Sequence, residues 1–176
     1  MAYYLGMIDL CRNTAHPSII QGIFKSDSEN TNKIIKIQDK FLKIAFITVF
    51  SSIIENFFGC IYKSLFLKKI PTSIYHVRKE LFKELQLSYL SDEWLAYSIL
   101  SNIRNTVHNN GIYTEESKEI LYRGRNHLFI KDKPQDSADL ETIVFIQQDL
   151  FRMTMTILNH PKIISIKDII DPSSLF

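Results

Sequence analysis

SDEWLAYSILSNIRNTVHNNG, Ser91 to Gly111, bounds its own secondary structure more clearly than any other stretch of this 176-residue chain. Ser91 suits an N-cap, because its hydroxyl can accept from a first-turn amide that has no partner inside the helix. Asp92 and Glu93 follow where the exposed amides favour negative charge. Leu95, Ile99, Ile103 and Val107 then recur at the spacing of one buried helical face. Asn109 and Asn110 close the segment, and Gly111 offers a left-handed C-cap. The stretch predicts one helix that ends in a polar cluster.

Helical spacing also runs through the chain before it. From about Thr31, Ile34, Ile37, Phe41, Ile44 and Ala45 begin a stripe that Phe46, Phe50, Ile53, Phe57 and Ile61 continue. So broad an apolar face predicts a central helix, with Gly59 as a dividing point and Pro71 as its close. Pro71 is expected to open a second helix to about Leu87, burying Ile74, Val77, Leu81 and Leu85 and leaving Arg78, Lys79 and Lys83 in solvent. Beyond Gly111, Ile120 and Tyr122, then Leu128 and Ile130, read as two short strands around the turn Arg123-Gly124-Arg125-Asn126. A last long helix is expected from about Ala138 to Asn159, with Leu140, Ile143, Val144, Phe151, Met155 and Leu158 inward, until Pro161 stops it. Residues 1–30 hold Pro17, Gly22 and a turn-like SDSEN cluster and define little. The tail, 161–176, suits a short helix or strand. With neither repeat nor dividing linker, 1–176 reads as a single domain. The expected class is mainly α, a helical bundle with a small β-hairpin inserted before the last long helix.

Composition bounds the function. Apolar residues make up 45 % and aromatics 12 %, with five Gly and five Pro, which excludes a disordered or collagen-like chain. Twenty-one Lys and Arg against nineteen Asp and Glu leave +2, which argues against a whole-surface nucleic-acid binder and leaves room for one basic groove. Cys11 and Cys60 are too few for a disulfide framework or a Cys-built zinc site. The start, MAYYLGMIDLC, lacks a basic leader, and the uncharged run Ile44–Ile54 spans only about 16 Å as a helix, so Phe41–Tyr62 reads as a core helix rather than a membrane span. A cytoplasmic location without membrane contact follows as an expectation. No phosphate-cradling glycine loop, zinc-protease motif or nucleophile elbow occurs. His16, His76, His108, His127 and His160 are scattered without ligand spacing, so neither metal nor cofactor is expected.

Chemistry concentrates at Ile103–Tyr113. Arg104 and His108 are four apart, about 40° around a helix, and share one small surface. A guanidinium can hold a phosphate and stabilise charge on its oxygens, while an imidazole moves protons near neutrality. On RNA, a base acting on the ribose 2′-hydroxyl gives metal-free cleavage. The second proton carrier is water, Tyr97, Tyr113, or the same histidine of a second subunit. The structural alternative pairs Arg104 with Glu93 or Glu115 and leaves His108 as a helix-end residue. Asn105 is either an orienting residue or a solvated one, and Asn109 and Asn110 fit a helix end. Arg123, Arg125, Lys131 and Lys133 either extend a phosphate-binding surface for RNA or form a solvated hairpin face among Glu115, Glu116, Glu119 and Asp132.

Arg104-Asn105-Thr106-Val107-His108, followed by Asn109-Asn110-Gly111, resembles the signature of HEPN-type domains, small helical domains with an Arg, a polar neighbour and a His near a helix end. The Arg-to-His spacing is one residue shorter than the family's usual minimum. The resemblance implies a HEPN-like helical bundle and a homodimer with two motifs facing across a cleft. It also implies a metal-independent endoribonuclease of toxin–antitoxin or antiphage-defence type, acting on single-stranded RNA and paired with an antitoxin or defence partner. Arg104 matches the motif arginine, Asn105 its polar neighbour and His108 the catalytic histidine; Tyr97, Asn109 and Tyr113 are the supporting candidates that their position beside these residues offers. The same family includes inactive members, which implies a second function class: a non-catalytic dimerisation or binding module for RNA or a protein.

Overall fold

A computed structural model describes residues 28–135 and 139–169. The chain is mainly helical, with the order α1 (Ser28–Phe66), α2 (Ile74–Glu84), α3 (Asp92–His108), β1 (Ile112–Tyr113), β2 (Lys118–Tyr122), β3 (Arg125–Phe129), β4 (Lys133–Pro134), α4 (Leu140–Leu158) and α5 (Pro161–Ile164). This is the expected helical bundle with a small antiparallel hairpin region before the last long helix. Two compact units divide it, Met1–Phe46 and Ile47–Phe176, and their boundary falls inside α1. Cys11, Pro17, Gly22, Ala138 and the end of the tail lie outside the described residues.

The described part of the first unit is the start of α1. Ser28, Glu29 and Asn30 are its first turn, not the turn expected of SDSEN. Glu29 suits that position because the helix start attracts negative charge, and it also accepts from Lys33 one turn on at 2.7 Å. Lys43 pairs in the same way with Asp39 at 2.8 Å.

In the second unit, α1 buries Ile47, Ser51, Ile54, Phe58, Ile61 and Tyr62, positions three or four apart that form one stripe. Gly59 does not divide the helix. It ends at Phe66, before Pro71, because Leu67 turns into the left-handed region (φ 51°). By length and composition α1 alone among the described residues could cross a bilayer, a property that core helices of soluble proteins share.

Pro71 does not open α2. Ser73 is the N-cap, extended at φ −97° and ψ 118°, and its carbonyl accepts from His76 and Val77 at 3.0 and 3.2 Å. Arg78, expected in solvent, is buried with Val77, Leu81 and Phe82. Its guanidinium carbon lies over rings of α3, 3.7 Å from the centroid of Trp94 and 4.5 Å from that of Tyr97.

Helix α3 has the bounds its sequence announces. The Ser91 hydroxyl accepts from the Trp94 amide at 3.2 Å. Asn109 is the C-cap, and Asn110 and Gly111 turn left-handed at φ 55° and 85°. The Gly111 amide returns to the Thr106 carbonyl at 2.8 Å, so the chain leaves the helix immediately behind His108.

β2 and β3 pair antiparallel from Lys118↔Phe129 to Tyr122↔Arg125. Their two-residue turn, Arg123-Gly124, has positive φ at both positions (47° and 75°), the twist a tight hairpin needs. Strand alternation buries Tyr122 and Phe129 and turns Leu121 and Leu128 outward. β1 and β4 close the base of this excursion through Ile112↔Pro134 and Tyr113↔Lys133.

α4 starts on Asp139, whose carboxylate accepts from the Thr142 amide at 2.7 Å. Its inward face is Ile143, Ile146, Leu150, Met153 and Ile157 with Asp149 among them. Phe151, Met155 and Leu158, expected inside, are exposed. The helix is apolar on two sides, so spacing alone does not choose between them. Asp149 decides the rotation. It is fully buried and accepts from the Tyr122 hydroxyl (2.7 Å) and twice from Arg123 (2.9 and 2.6 Å), which staples the hairpin turn to α4. Pro161 both stops α4 and occupies the first turn of α5.

Candidate functional site

The site is built around the last three turns of α3. Arg104 and His108 sit one turn apart there, and His108 is exposed at the helix end. Its imidazole makes no hydrogen bond or ion pair among the described residues. Arg104 is mostly covered, with 19 % of its side chain exposed.

Its partner is Glu55 of α1, not Glu93 or Glu115. The Arg104 Nη1 donates to Glu55 Oε1, and the Tyr97 hydroxyl donates to the same oxygen at 2.9 Å. One carboxylate oxygen therefore fixes two side chains of α3. Tyr97 itself is buried, and its ring meets Phe58 edge-on at 5.5 Å. Burial and the Glu55 charge push its phenol up, so it remains a donor. The Arg104 Nε is buried with no partner, and Nη2 reaches only Asn105 Oδ1 at 3.5 Å. Nε and Nη2 are thus less committed than Nη1.

Asn105 carries the network to the loop after β1. Its Nδ2 donates to Glu115 Oε1 at 3.0 Å, while Lys118 and the Tyr113 hydroxyl donate to Glu115 Oε2 at 3.0 and 3.3 Å. Burial raises the Glu115 carboxyl, but these three donors together with the Lys118 charge outweigh it and hold the net value below the usual carboxylate range. Burial likewise pushes the Tyr113 phenol up. Asn109 secures the helix end: its Nδ2 donates to the Asn105 carbonyl at 2.9 Å and to Thr114 Oγ1 at 3.1 Å.

The hairpin cations stand differently. Arg123 is taken up by buried Asp149 and lies over the Phe145 ring at 5.0 Å. Arg125 pairs with Glu141 at 2.7 Å, and Lys131 pairs with Glu116 at 2.8 Å. His127 is half-buried and burial pushes its imidazole down. The structure therefore gathers Arg104, Asn105, His108, Asn109, Tyr97 and Tyr113 on the last turns of α3 and beside them, and pairs Arg123, Arg125 and Lys131 with carboxylates, while Lys133 on β4 makes no ion pair among the described residues. No three His, Cys, Asp or Glu side chains among the described residues gather to hold a metal ion.

Glu55 is the member that sequence spacing does not reveal, since it lies 49 positions from Arg104. Its signal is indirect: a single carboxylate interrupting the apolar run of a core helix must find a cation or donor inside. No family model, curated protein or solved structure matches the chain.

Proposed function

We propose that the protein is a cytoplasmic, homodimeric, metal-independent endoribonuclease of toxin or antiphage-defence type, with a HEPN-like motif at Arg104 and His108. The observation that carries this reading is the pairing at the end of α3. An exposed imidazole without a partner stands one turn from an arginine that Glu55 orients. In the reaction His108 takes the proton of a ribose 2′-hydroxyl, and the 2′-oxygen attacks the adjacent phosphorus. Arg104 stabilises the charge that develops on the non-bridging oxygens. The bond to the 5′-oxygen breaks and that oxygen receives a proton, leaving a 2′,3′-cyclic phosphate and a 5′-hydroxyl. Among the described residues one such imidazole stands beside Arg104, so the second proton comes from water or from His108 of a second subunit. The apolar outer stripe of α4, with Phe151 48 % exposed beside Met155 and Leu158, supports a covered face in a dimer.

A second reading is favoured by the pairing of Arg104, Arg123, Arg125 and Lys131 with carboxylates, which reduces the positive charge offered to phosphate. It is a non-catalytic dimerisation or binding module for RNA or a partner protein such as an antitoxin. Single-stranded RNA incubated in EDTA with wild type, R104A and H108A separates the two. Cleavage by wild type alone supports the nuclease, equal cleavage by all three marks a contaminant, and no cleavage across varied RNAs favours the module.

A further inference from the structure

α2 and the start of α3 hold a second group of side chains that the site at the other end of α3 does not use. Tyr75, Lys79 and Lys83 follow one another at four-residue spacing along α2, and all three are exposed. Tyr89, in the loop before α3, is exposed as well and anchors its hydroxyl on the Lys79 carbonyl at 3.0 Å. Between the two tyrosines stands Trp94, with ring centroids 6.3 Å from Tyr75 and 4.9 Å from Tyr89.

Beneath Trp94 lies Arg78, 4 % exposed, with its guanidinium 3.7 Å from the indole centroid. No carboxylate among the described residues pairs with it. Its acceptors are the Trp94 carbonyl (3.4 Å) and Ser98 Oγ (3.2 Å), both neutral, and its Nε is buried without a partner. Burial lowers it to about 10, which still leaves it cationic at neutral pH. Lys79 and Lys83 make no ion pair among the described residues, and the neighbouring carboxylates serve elsewhere: Glu80 with Lys68, Glu84 with Lys162, Glu93 with Arg152. Asp92 is the one acidic side chain left on the adjoining turn. Exposed rings backed by uncompensated positive charge suit a ligand that has both flat faces and a chain of anions.

We propose that this aromatic and cationic surface holds single-stranded RNA, with bases stacked on Tyr75 and Tyr89 and phosphates drawn by Lys79 and Lys83. A duplex hides the faces of its bases, and a polyanion without bases has none to stack. Trp94 and Arg104 are ten residues apart on α3, about 15 Å along its axis, so one strand a few nucleotides long reaches from this surface to the His108 end. The inference rests on the ribonuclease reading for the identity of its ligand, and its test is made on binding alone.

Trp94 is the only tryptophan in the chain, so its fluorescence reports from within the surface itself. H108A protein is titrated with a 12-nucleotide oligoadenylate, an RNA duplex of equal length, and heparin. The single strand is expected to quench Trp94 saturably and with higher affinity than either comparator. Tyr75→Ala and Tyr89→Ala are each expected to weaken it about tenfold, and Tyr89→Phe to retain it. Lys79→Glu should weaken binding and flatten its salt dependence. Thermal melts establish that each variant is folded. The proposal is overturned by absent quenching, by equal or tighter binding of heparin or duplex, or by folded Y75A and Y89A proteins that bind like the parent. Failed binding overturns the platform and leaves the Arg104–His108 reading, which rests on cleavage, intact; binding here by a protein whose wild type leaves RNA uncut does the reverse.

Discussion

Replacing Glu55 tests the centre of the site most directly. Its Oε1 receives both Arg104 and Tyr97, whose side chains have no other strong acceptor among the described residues. Glu55→Ala removes the acceptor altogether, whereas Glu55→Gln keeps an oxygen in place and removes only the charge. The pair is 19 % and 26 % exposed, so its worth lies between a fully exposed ion pair and a fully buried one. Exposed pairs contribute about 0.2–1 kcal/mol, and breaking buried ones costs about 3–5 kcal/mol. An intermediate coupling of about 2 kcal/mol follows, which lowers Tm by roughly 4–8 °C in a chain of this length. Urea unfolding of wild type, E55A, R104A and the double variant isolates the interaction, because the double-mutant cycle cancels each residue's separate effects. A coupling below about 0.5 kcal/mol would refute the assignment. The functional arm uses E55Q, in which Arg104 keeps its charge and loses its orienting anion. RNA cleavage should fall in E55Q, since a freely rotating guanidinium is no longer aimed at the phosphate. Unchanged or higher cleavage would mean that Glu55 masks Arg104 rather than positions it.

Asp149→Ala strands Arg123 and the buried Tyr122 hydroxyl and should cost about 3–5 kcal/mol, read by urea unfolding and by faster amide exchange in the hairpin. Burial raises the Asp149 carboxyl, but the bonds from Arg123 and Tyr122 and the nearby positive charge bring it below its ordinary value. Its stabilisation is therefore complete above the unfolded value of about 3.9 and is lost as the pH falls through the folded value, so the stability gap between wild type and D149N should narrow on acidification; a pH-independent gap would oppose this. Ser91→Ala removes the acceptor for the Trp94 amide and should cost about 1 kcal/mol by thermal melting, while Ser91→Asp should restore most of it. Gly124→Ala meets no atom within 4 Å, so only its positive φ resists the new Cβ; a loss of about 1 kcal/mol is expected, and a loss several times larger would reveal a steric clash instead.

Local signals were the legible ones. Ser91 and Gly111 mark the ends of α3 because caps act within a few residues, and Arg123-Gly124 marks the hairpin because a two-residue turn demands positive φ. The spacing of Arg104 and His108 likewise placed them on one helix face. What stayed hidden depends on partners distant in sequence. α4 has two apolar stripes, and the choice between them rests on Asp149 meeting a turn 26 residues earlier. Arg78 looked solvated because nothing in its own helix announces the rings of Trp94 and Tyr97. Pro71 fits a helix start on local grounds, yet Ser73 takes the cap. Glu55 was visible only as an interruption, since spacing within one helix cannot point to an arginine in another.

Tyr97 touches both surfaces of α3 at once: its ring flanks Arg78 and its hydroxyl fixes Glu55, which holds Arg104. That double employment limits how the sequence can vary. Phenylalanine would keep the ring and free Glu55, while a shorter hydroxyl residue would keep a donor that no longer reaches and would empty the space beside Arg78. Tyrosine alone among the common side chains satisfies both ends, so position 97 should tolerate exchange least across a library of variants, even though it is buried away from any ligand. Diversification aimed at either surface would then proceed through the exposed residues around it, with Tyr97 as the fixed point about which they change.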